Sequence, residues 1–119
     1  MSAGPGLLTR IRRIFATDQQ LADEELARKA AQDGAEQLCE CQLRSKVTVR
    51  GEVASVTIDK HGGWFEAEVN DGTGSATVVW MGRRTIPGVA VGHTIRVTGR
   101  IAARGDEKVI YNPEYELLS

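Results

Sequence analysis

A glycine-rich turn between two β-type segments constrains the fold of this chain more than any other feature. Residues 70–74 read Asn-Asp-Gly-Thr-Gly, and Asn, Asp and Gly tolerate the positive φ angles of a tight chain reversal. On both sides of the turn, apolar residues occupy every second position, which predicts a β-hairpin with one face on a core and the other toward solvent or a ligand. The residues expected on the core face are Phe65, Ala67, Val69, Ala76, Val78 and Trp80.

The first predicted strand is long and able to bend. From Ser45 onward the composition changes to Val, Thr, Ile and Gly, and apolar residues alternate from Val47 to Val53. Gly51 lies inside this run, where a glycine permits a sharp bend, and the alternation slips in phase near Ala54. A bent strand of this length can pair with two parts of one sheet.

Two more strands are predicted after the hairpin. Residues 82–92 form the longest connection, with room for at most one short helical turn, and a fourth strand follows over 94–101. The fifth strand runs from 109 to about 117, and Pro113 must lie at an edge or at its end. This order of elements predicts a mainly β chain, a five-stranded OB-fold Greek-key barrel. An SH3-like barrel and a small sandwich are the alternatives.

An N-terminal extension of two helices is predicted ahead of the barrel. Residues 7–15 place Leu, Ile and Phe on one helical stripe and three arginines on the other side, and we expect this stripe to pack on its own domain. Thr17 begins the second helix with a capping box that is completed by Gln20, and Gly34 is the expected stop. The predicted domains are a flexible leader at 1–6, the helical extension at 7–44 and the OB-fold domain at 45–119.

The second predicted helix has a thin apolar face. It consists of Leu21, Ala22, Leu26 and Ala30. A stripe this small packs lightly on the barrel or on a second copy of the chain, so homo-oligomerisation through the N-terminal helices is one expectation.

Composition narrows the function classes. The formal net charge of −1 and the pI of about 6.1 argue against a strongly basic nucleic-acid binder. A neutral domain can still carry a basic groove. The sequence has no apolar run long enough to span a bilayer and no secretory signal, so a cytoplasmic protein that does not bind membranes is the default expectation.

The sequence offers no evidence for a metal, a cofactor or a catalytic centre. Cys39 and Cys41 are the only thiols, and with two distant histidines they cannot close a four-ligand zinc site locally. We expect two reduced thiols that are buried or half-buried. His61 and His93 have no Ser or Cys partner at a suggestive spacing, so no nucleophile and base can be assigned and an enzyme is not expected.

The sequence between Val47 and Leu118 includes the four segments VTVRGEVASV, VNDGTGSATVVWMGR, VGHTIRVTGRI and YNPEYELL. These segments resemble the OB-fold nucleic-acid-binding family of the tRNA and helicase anticodon-binding type. They are most similar to the wedge-domain OB-fold of RecG-type DNA helicases, which has a similar DGTG turn and an N-P-E near its end. The chain has no G-x-x-x-x-G-K-[ST] motor motif. The resemblance therefore implies a stand-alone OB-fold protein, of the kind found in actinobacteria, that binds nucleic acid.

An OB-fold binds oligonucleotides on the outer face of its second and third strands, where basic side chains and exposed aromatic rings are needed. Glu66 and Glu68 lie on this same face and would repel phosphates. The sequence therefore supports two hypotheses: binding of single-stranded or structured nucleic acid (DNA rather than RNA) with low sequence specificity, or a protein-interaction module that binds no nucleic acid. The candidate nucleic-acid-binding residues are Lys60, His61, Trp64, Thr77, Arg83, Arg84, Arg104 and Lys108.

Overall fold

The computed structural model describes residues 3–61 and 63–119, with side chains from residue 18 onward. One helix and a short 3₁₀ turn precede six strands. The elements are α1 (Ala3–Gln32), the 3₁₀ turn (Leu38–Glu40), β1 (Lys46–Ile58), β2 (Trp64–Asn70), β3 (Ser75–Met81), β4 (Thr94–Arg104), β5 (Glu107–Tyr111) and β6 (Glu114–Leu117). Within the described part of the chain, no helix combines the length and the apolar character needed to cross a membrane.

The strands pair around a closed ring in the order β1-β2-β3-β5-β4. β1 pairs with β4 over residues 46–52 and with β2 over residues 52–58, so the two halves of one strand serve two parts of the sheet. β3 pairs antiparallel with β2 and parallel with β5. The ring is uneven, because β3 contacts β5 only over residues 77–79. This arrangement is an OB-fold barrel.

The bend and the bulge of β1 confirm the prediction from sequence. The register with β2 shifts between Val53 and Ser55, so Ala54 is the extra residue of a bulge. A Cβ atom on Gly51 would lie 2.5 Å from the backbone oxygen of Asn70. Glycine is therefore required where β1 leaves β4 and joins β2.

The core contains the residues that the alternation predicts. All six core-face residues of the hairpin are buried. The Trp80 ring packs edge-on against Tyr115, with ring centroids 5.5 Å apart, and lies 5.9 Å from the Phe65 ring. Its Nε1 donates a hydrogen bond to the carbonyl oxygen of Pro113 at 3.2 Å. Trp80 is thus a packed core residue whose one polar atom is satisfied.

The single fifth strand predicted over 109–117 is wrong, since two strands occupy this segment. β5 ends at Tyr111, and β6 then pairs with residues 94–98 of β4. Asn112 has a positive φ of 50°, and Pro113 has no N–H to donate to a ladder. The side chain of Asn112 accepts a hydrogen bond from the Met81 N–H at 2.8 Å, which holds the break in place.

The two-helix extension is also wrong, because α1 is a single helix. Thr17 lies within it, and residues 16–20 contain no Gly or Pro that would interrupt a helix. The predicted stop at Gly34 is confirmed: its φ is 75°, and the N–H of Ala35 donates to the Ala30 oxygen at 3.0 Å. The apolar stripe predicted over residues 7–15, with its arginines on the opposite side, lies outside the described side chains, and Met1 and Ser2 lie outside the described residues.

The packed face of α1 differs from the thin face that was predicted. Ala30 is buried and Leu26 is half-buried, whereas Leu21 is 58% exposed and Ala22 is also exposed. The helix backbone at Asp23 lies against the glycine-rich turn, since a Cβ atom on Gly72 would collide with the backbone oxygen of Asp23. The glycine-rich turn therefore packs directly on the helix backbone.

Ion pairs join the C-terminal end of α1 to the barrel. The Asp33 carboxylate lies 3.1 Å from Arg50 on β1 and 2.7 Å from Arg96 on β4. Arg50 also donates to the backbone oxygen of Lys29 at 3.0 Å. A positive side chain at a carbonyl of the last helical turn complements the negative end of the helix dipole.

Candidate nucleic-acid interface

The outer face of β2 and β3 has two ends, and the predicted site residues are divided between them. The register places Trp64 opposite Met81, Glu66 opposite Val79 and Glu68 opposite Thr77. The end nearest the β1–β2 loop is called the loop end and carries Lys60, His61, Trp64, Arg83 and Arg84. The end nearest the β4–β5 turn is called the turn end and carries Thr77, Arg104 and Lys108.

The cations of the loop end are exposed. The Asp59 N–H donates to the Trp64 oxygen at 3.0 Å and closes the β1–β2 loop, on which Lys60 and His61 are exposed. After β3, Gly82 turns the chain with a φ of 73°, and the next two residues, Arg83 and Arg84, are exposed as well. Among the residues whose side chains are described, no carboxylate forms an ion pair with any of these four side chains.

Trp64 lies on the outer face, as the alternation predicts. Its neighbour Phe65 is in the core, while Trp64 itself is half-buried. The indole Nε1 donates to the Oε1 atom of Glu66 at 3.2 Å, which orients the ring on the sheet surface. An aromatic ring on a barrel surface beside basic side chains can stack on a base while those side chains contact phosphates.

Two further exposed side chains, one at the loop end and one near the middle of the face, were missed by the sequence prediction. Met81, directly opposite Trp64, is 50% exposed, and Tyr111, opposite Val79 in the β3–β5 pairing, is 45% exposed. The outward position of Met81 follows from the inward position of Trp80. Tyr111 could not be placed in the same way, because the Asn112–Pro113 break separates it from the pattern of β6.

The turn end is occupied by an internal ion-pair network. The Arg104 guanidinium on β4 reaches past β5 and β3 to Glu66 on β2, with Nη2 lying 3.1 Å from Oε2. The same nitrogen lies 2.7 Å from Glu107, whose other carboxylate oxygen accepts a hydrogen bond from Thr77 at 3.2 Å. Val79, which the register places beside this network, is 2% exposed.

The network changes the pKa values of Arg104 and Glu107. Hydrogen bonds to Glu66 and then to Glu107 raise the pKa of Arg104, which stays fully charged. The hydrogen bond from Arg104 lowers the pKa of Glu107 below its ordinary value. The guanidinium of Arg104 is therefore already paired with two carboxylates of its own chain.

Lys108 is also held by its own chain. Its Nζ donates to the backbone oxygen of Leu38 in the 3₁₀ turn at 2.5 Å, and the side chain is half-buried. The 3₁₀ turn is itself fixed to the glycine-rich turn, since the Leu38 N–H donates to Asp71 at 2.8 Å. Lys108 therefore contributes to the packing of β5 against the 3₁₀ turn, and it lies apart from the loop-end cations.

The thiols are both free, but Cys39 is exposed rather than half-buried as expected. Cys41 is partly buried, and this burial, followed by the charge of Glu36, raises the pKa of its thiol. Across residues 18–61 and 63–119, no group of three or more His, Cys, Asp or Glu side chains is arranged to hold a metal ion.

A family described as an OB-fold nucleic acid binding domain, the tRNA anti-codon family, matches residues 47–118. No curated protein sequence matches the chain.

Solved structures share the fold at low sequence identity. RecG bound to a three-way DNA junction matches with 22% identity and a TM-score of 0.59, over 71% of this chain and 12% of the RecG chain. A chain of a replication protein A heterotrimer bound to ssDNA matches with 18% identity and a TM-score of 0.53, over 72% of this chain and 73% of that one. An OBody bound to hen egg-white lysozyme matches with 18% identity and a TM-score of 0.56, over 71% and 90%.

Proposed function

Since the chain belongs to the OB-fold nucleic acid binding domain family, we propose that it binds single-stranded or structured nucleic acid, DNA rather than RNA, without catalysing a reaction. The observation that carries this proposal is the loop end. There Lys60, His61, Arg83 and Arg84 are exposed beside Trp64 and have no ion pair with a described carboxylate. Exposed cations around an aromatic ring are the two elements that single-strand binding needs.

The contacts available at the loop end support low sequence specificity. Trp64 offers a ring on which any base can stack, because every base has a π-face. The guanidinium groups of Arg83 and Arg84 offer contacts to phosphates, which position a strand and carry no sequence information. The DNA-bound RecG and replication protein A structures share this fold, and they favour DNA over RNA as the first ligand to test.

The proposal is tested by titrating the full chain with labelled single-stranded DNA and RNA of equal length at low and moderate salt. We expect binding at low salt that weakens as salt rises, with a slope of about 0.7 per phosphate contact on a single strand. DNA is expected to bind more tightly than RNA. No binding of either strand at low salt contradicts the proposal, because phosphate contacts are strongest there.

Trp64→Ala separates stacking from phosphate contact. Stacking contributes about 1 to 3 kcal/mol per base, so we expect the variant to bind more weakly at every salt concentration with a nearly unchanged salt slope. Trp64→Phe keeps an aromatic ring and serves as the matched control, with most of the affinity retained. A Trp64→Ala variant that binds like the parent would remove Trp64 from the site.

The turn end supports a second candidate function, the protein-interaction module. The Glu66–Arg104–Glu107 network places paired charges at this end of the expected face, and an OBody bound to lysozyme shows that an OB-fold can bind a protein. A pull-down from lysate with and without nuclease distinguishes the two functions. Partners that disappear after nuclease treatment contradict the protein-interaction function, and partners that persist with a chain that binds no oligonucleotide support it.

A further inference from the structure

A groove on the outer surface of the barrel lies beyond Tyr111, away from β2. Its walls are β4, the end of β5 and the segment that leads into β1, and its volume is about 480 Å³. That segment is fixed to β4, since the Arg44 N–H donates to the Ile101 oxygen at 2.7 Å. The residues that the argument uses are Leu43, Arg44, Arg100, Ala102, Ala103 and Tyr111, and together they are called the arginine groove.

The arginine groove combines an apolar floor with two cations. Leu43 is 53% exposed, and Tyr111 and two alanines continue the apolar surface. The Arg100 guanidinium donates to the backbone oxygen of Arg44 at 2.5 Å, and that side chain is exposed. Of the described residues that line the groove, none is acidic, and neither arginine forms an ion pair with a described carboxylate. This chemistry fits a ligand that has flat apolar rings and negative charges.

The arginine groove is continuous with the loop end. Tyr111 connects the two, because it lines the groove and pairs with Val79 on β3, two residues before Met81, which lies opposite Trp64. Along the ring the strand order is β2, β3, β5 and β4, so Trp64 and Arg100 are three strand spacings apart. At about 4.8 Å per spacing this is roughly 14 Å across the strands. A single strand of about 4 nucleotides, the lower end of what one OB-fold binds, is long enough to reach both.

We infer that the arginine groove is a second subsite for the same single strand, with Tyr111 stacking on a base and Arg44 and Arg100 contacting phosphates. This inference rests on the proposed function. The strand crosses the barrel from the loop end over β3 and β5 to β4. It passes beside the Glu66–Arg104–Glu107 network and makes no use of the paired cation there. The binding surface thus extends beyond the β2–β3 face that the sequence predicts.

The inference is tested on the full chain with a labelled oligothymidylate of about 8 nucleotides, which is within the range that one OB-fold binds. Tyr111→Leu removes the ring and keeps an apolar side chain, so affinity should fall about 5- to 150-fold at every salt concentration. Tyr111→Phe should bind like the parent. Arg44→Gln should lower the salt slope by about 0.7, one phosphate contact on a single strand. Arg28→Gln, an exposed helix arginine paired with Glu25, is the control and should change nothing.

The outcomes separate the inference from the proposed function. If the parent chain binds, and Tyr111→Leu and Arg44→Gln bind equally well, the inference about the arginine groove is overturned. The proposed function at the loop end is then unaffected. A parent chain that does not bind at low salt overturns the proposed function itself. Thermal melting confirms that the variants are folded. Should Tyr111→Leu fail to fold, Arg44→Gln alone decides, because the side chain of Arg44 is exposed.

Discussion

The loop end and the turn end belong to one face of one barrel and carry the same kinds of residue, yet their cations are in opposite states. Arg83 and Arg84 at the loop end are exposed, whereas Arg104 at the turn end is shared between Glu66 and Glu107. A count of basic residues along the sequence treats all three as equal. In the structure, Arg104 forms ion pairs within the chain, whereas no described carboxylate pairs with Arg83 or Arg84.

The difference has an energetic reason. A phosphate that binds Arg83 or Arg84 releases condensed counterions and has no ion pair to break. A phosphate that binds Arg104 must first separate that guanidinium from two carboxylates and would meet their negative charge. Partly exposed ion pairs contribute little to stability, yet a phosphate that binds Arg104 has to replace them before it gains a contact of its own.

The largest expected effect tests which side of β3 faces the core. Trp80 packs against Phe65 and Tyr115, so Trp80→Ala should lower the free energy of unfolding by about 3 to 5 kcal/mol. Trp64→Ala is the matched control and should change stability far less, since Trp64 is only half-buried on the outer face. Chemical denaturation followed by circular dichroism measures both. A larger loss of stability for Trp64→Ala than for Trp80→Ala would mean that Trp64 lies in the core and Trp80 on the outer face.

A smaller effect is expected when the turn end is made to resemble the loop end. Glu66→Gln combined with Glu107→Gln removes both carboxylates that hold Arg104. The freed guanidinium should bind one more phosphate and steepen the salt dependence of single-strand binding by about 0.7. Glu25→Gln removes the carboxylate partner of Arg28 on α1 and should leave the slope unchanged. An unchanged slope in the double variant would show that ion pairing is not what keeps Arg104 from binding a phosphate.

The smallest effect concerns the pH dependence of the turn end. The hydrogen bond from Arg104 lowers the pKa of Glu107 in the folded state. A lowered folded-state pKa contributes stability above the unfolded pKa, and this contribution is lost as the pH falls through the folded value. The parent chain should therefore melt slightly higher than Glu107→Gln near neutral pH, and the difference in Tm should vanish in acid. A difference that grows on acidification would contradict the assigned direction.

Local patterns in the sequence were sufficient to predict the barrel. The turn at 70–74, the bulge at Ala54 and the helix stop at Gly34 each depend on residues close together in the chain, and all three are confirmed. The two-helix extension was wrong because a capping box at Thr17 is only a local preference. It does not break a helix whose neighbouring residues are also helix formers.

The state of the candidate site could not be predicted in the same way. Arg104 and Glu66 are 38 residues apart in the chain, and Lys108 bonds a backbone oxygen 70 residues away. Only the closed ring of strands brings these groups together. The sequence predicts which residues lie on the strands and loops of the face, whereas the pairing that neutralises some of them depends on the folded geometry.

The central claim is tested most directly by comparing salt slopes for two sets of charge-removing variants. Arg83→Gln combined with Arg84→Gln should lower the slope of single-strand binding by about 0.7 for each phosphate that the two arginines bind in the parent chain. Arg104→Gln should leave the slope unchanged, because this guanidinium is already engaged by Glu66 and Glu107. A slope that falls with Arg104→Gln and not with the loop-end pair would contradict the account and move the binding surface to the turn end.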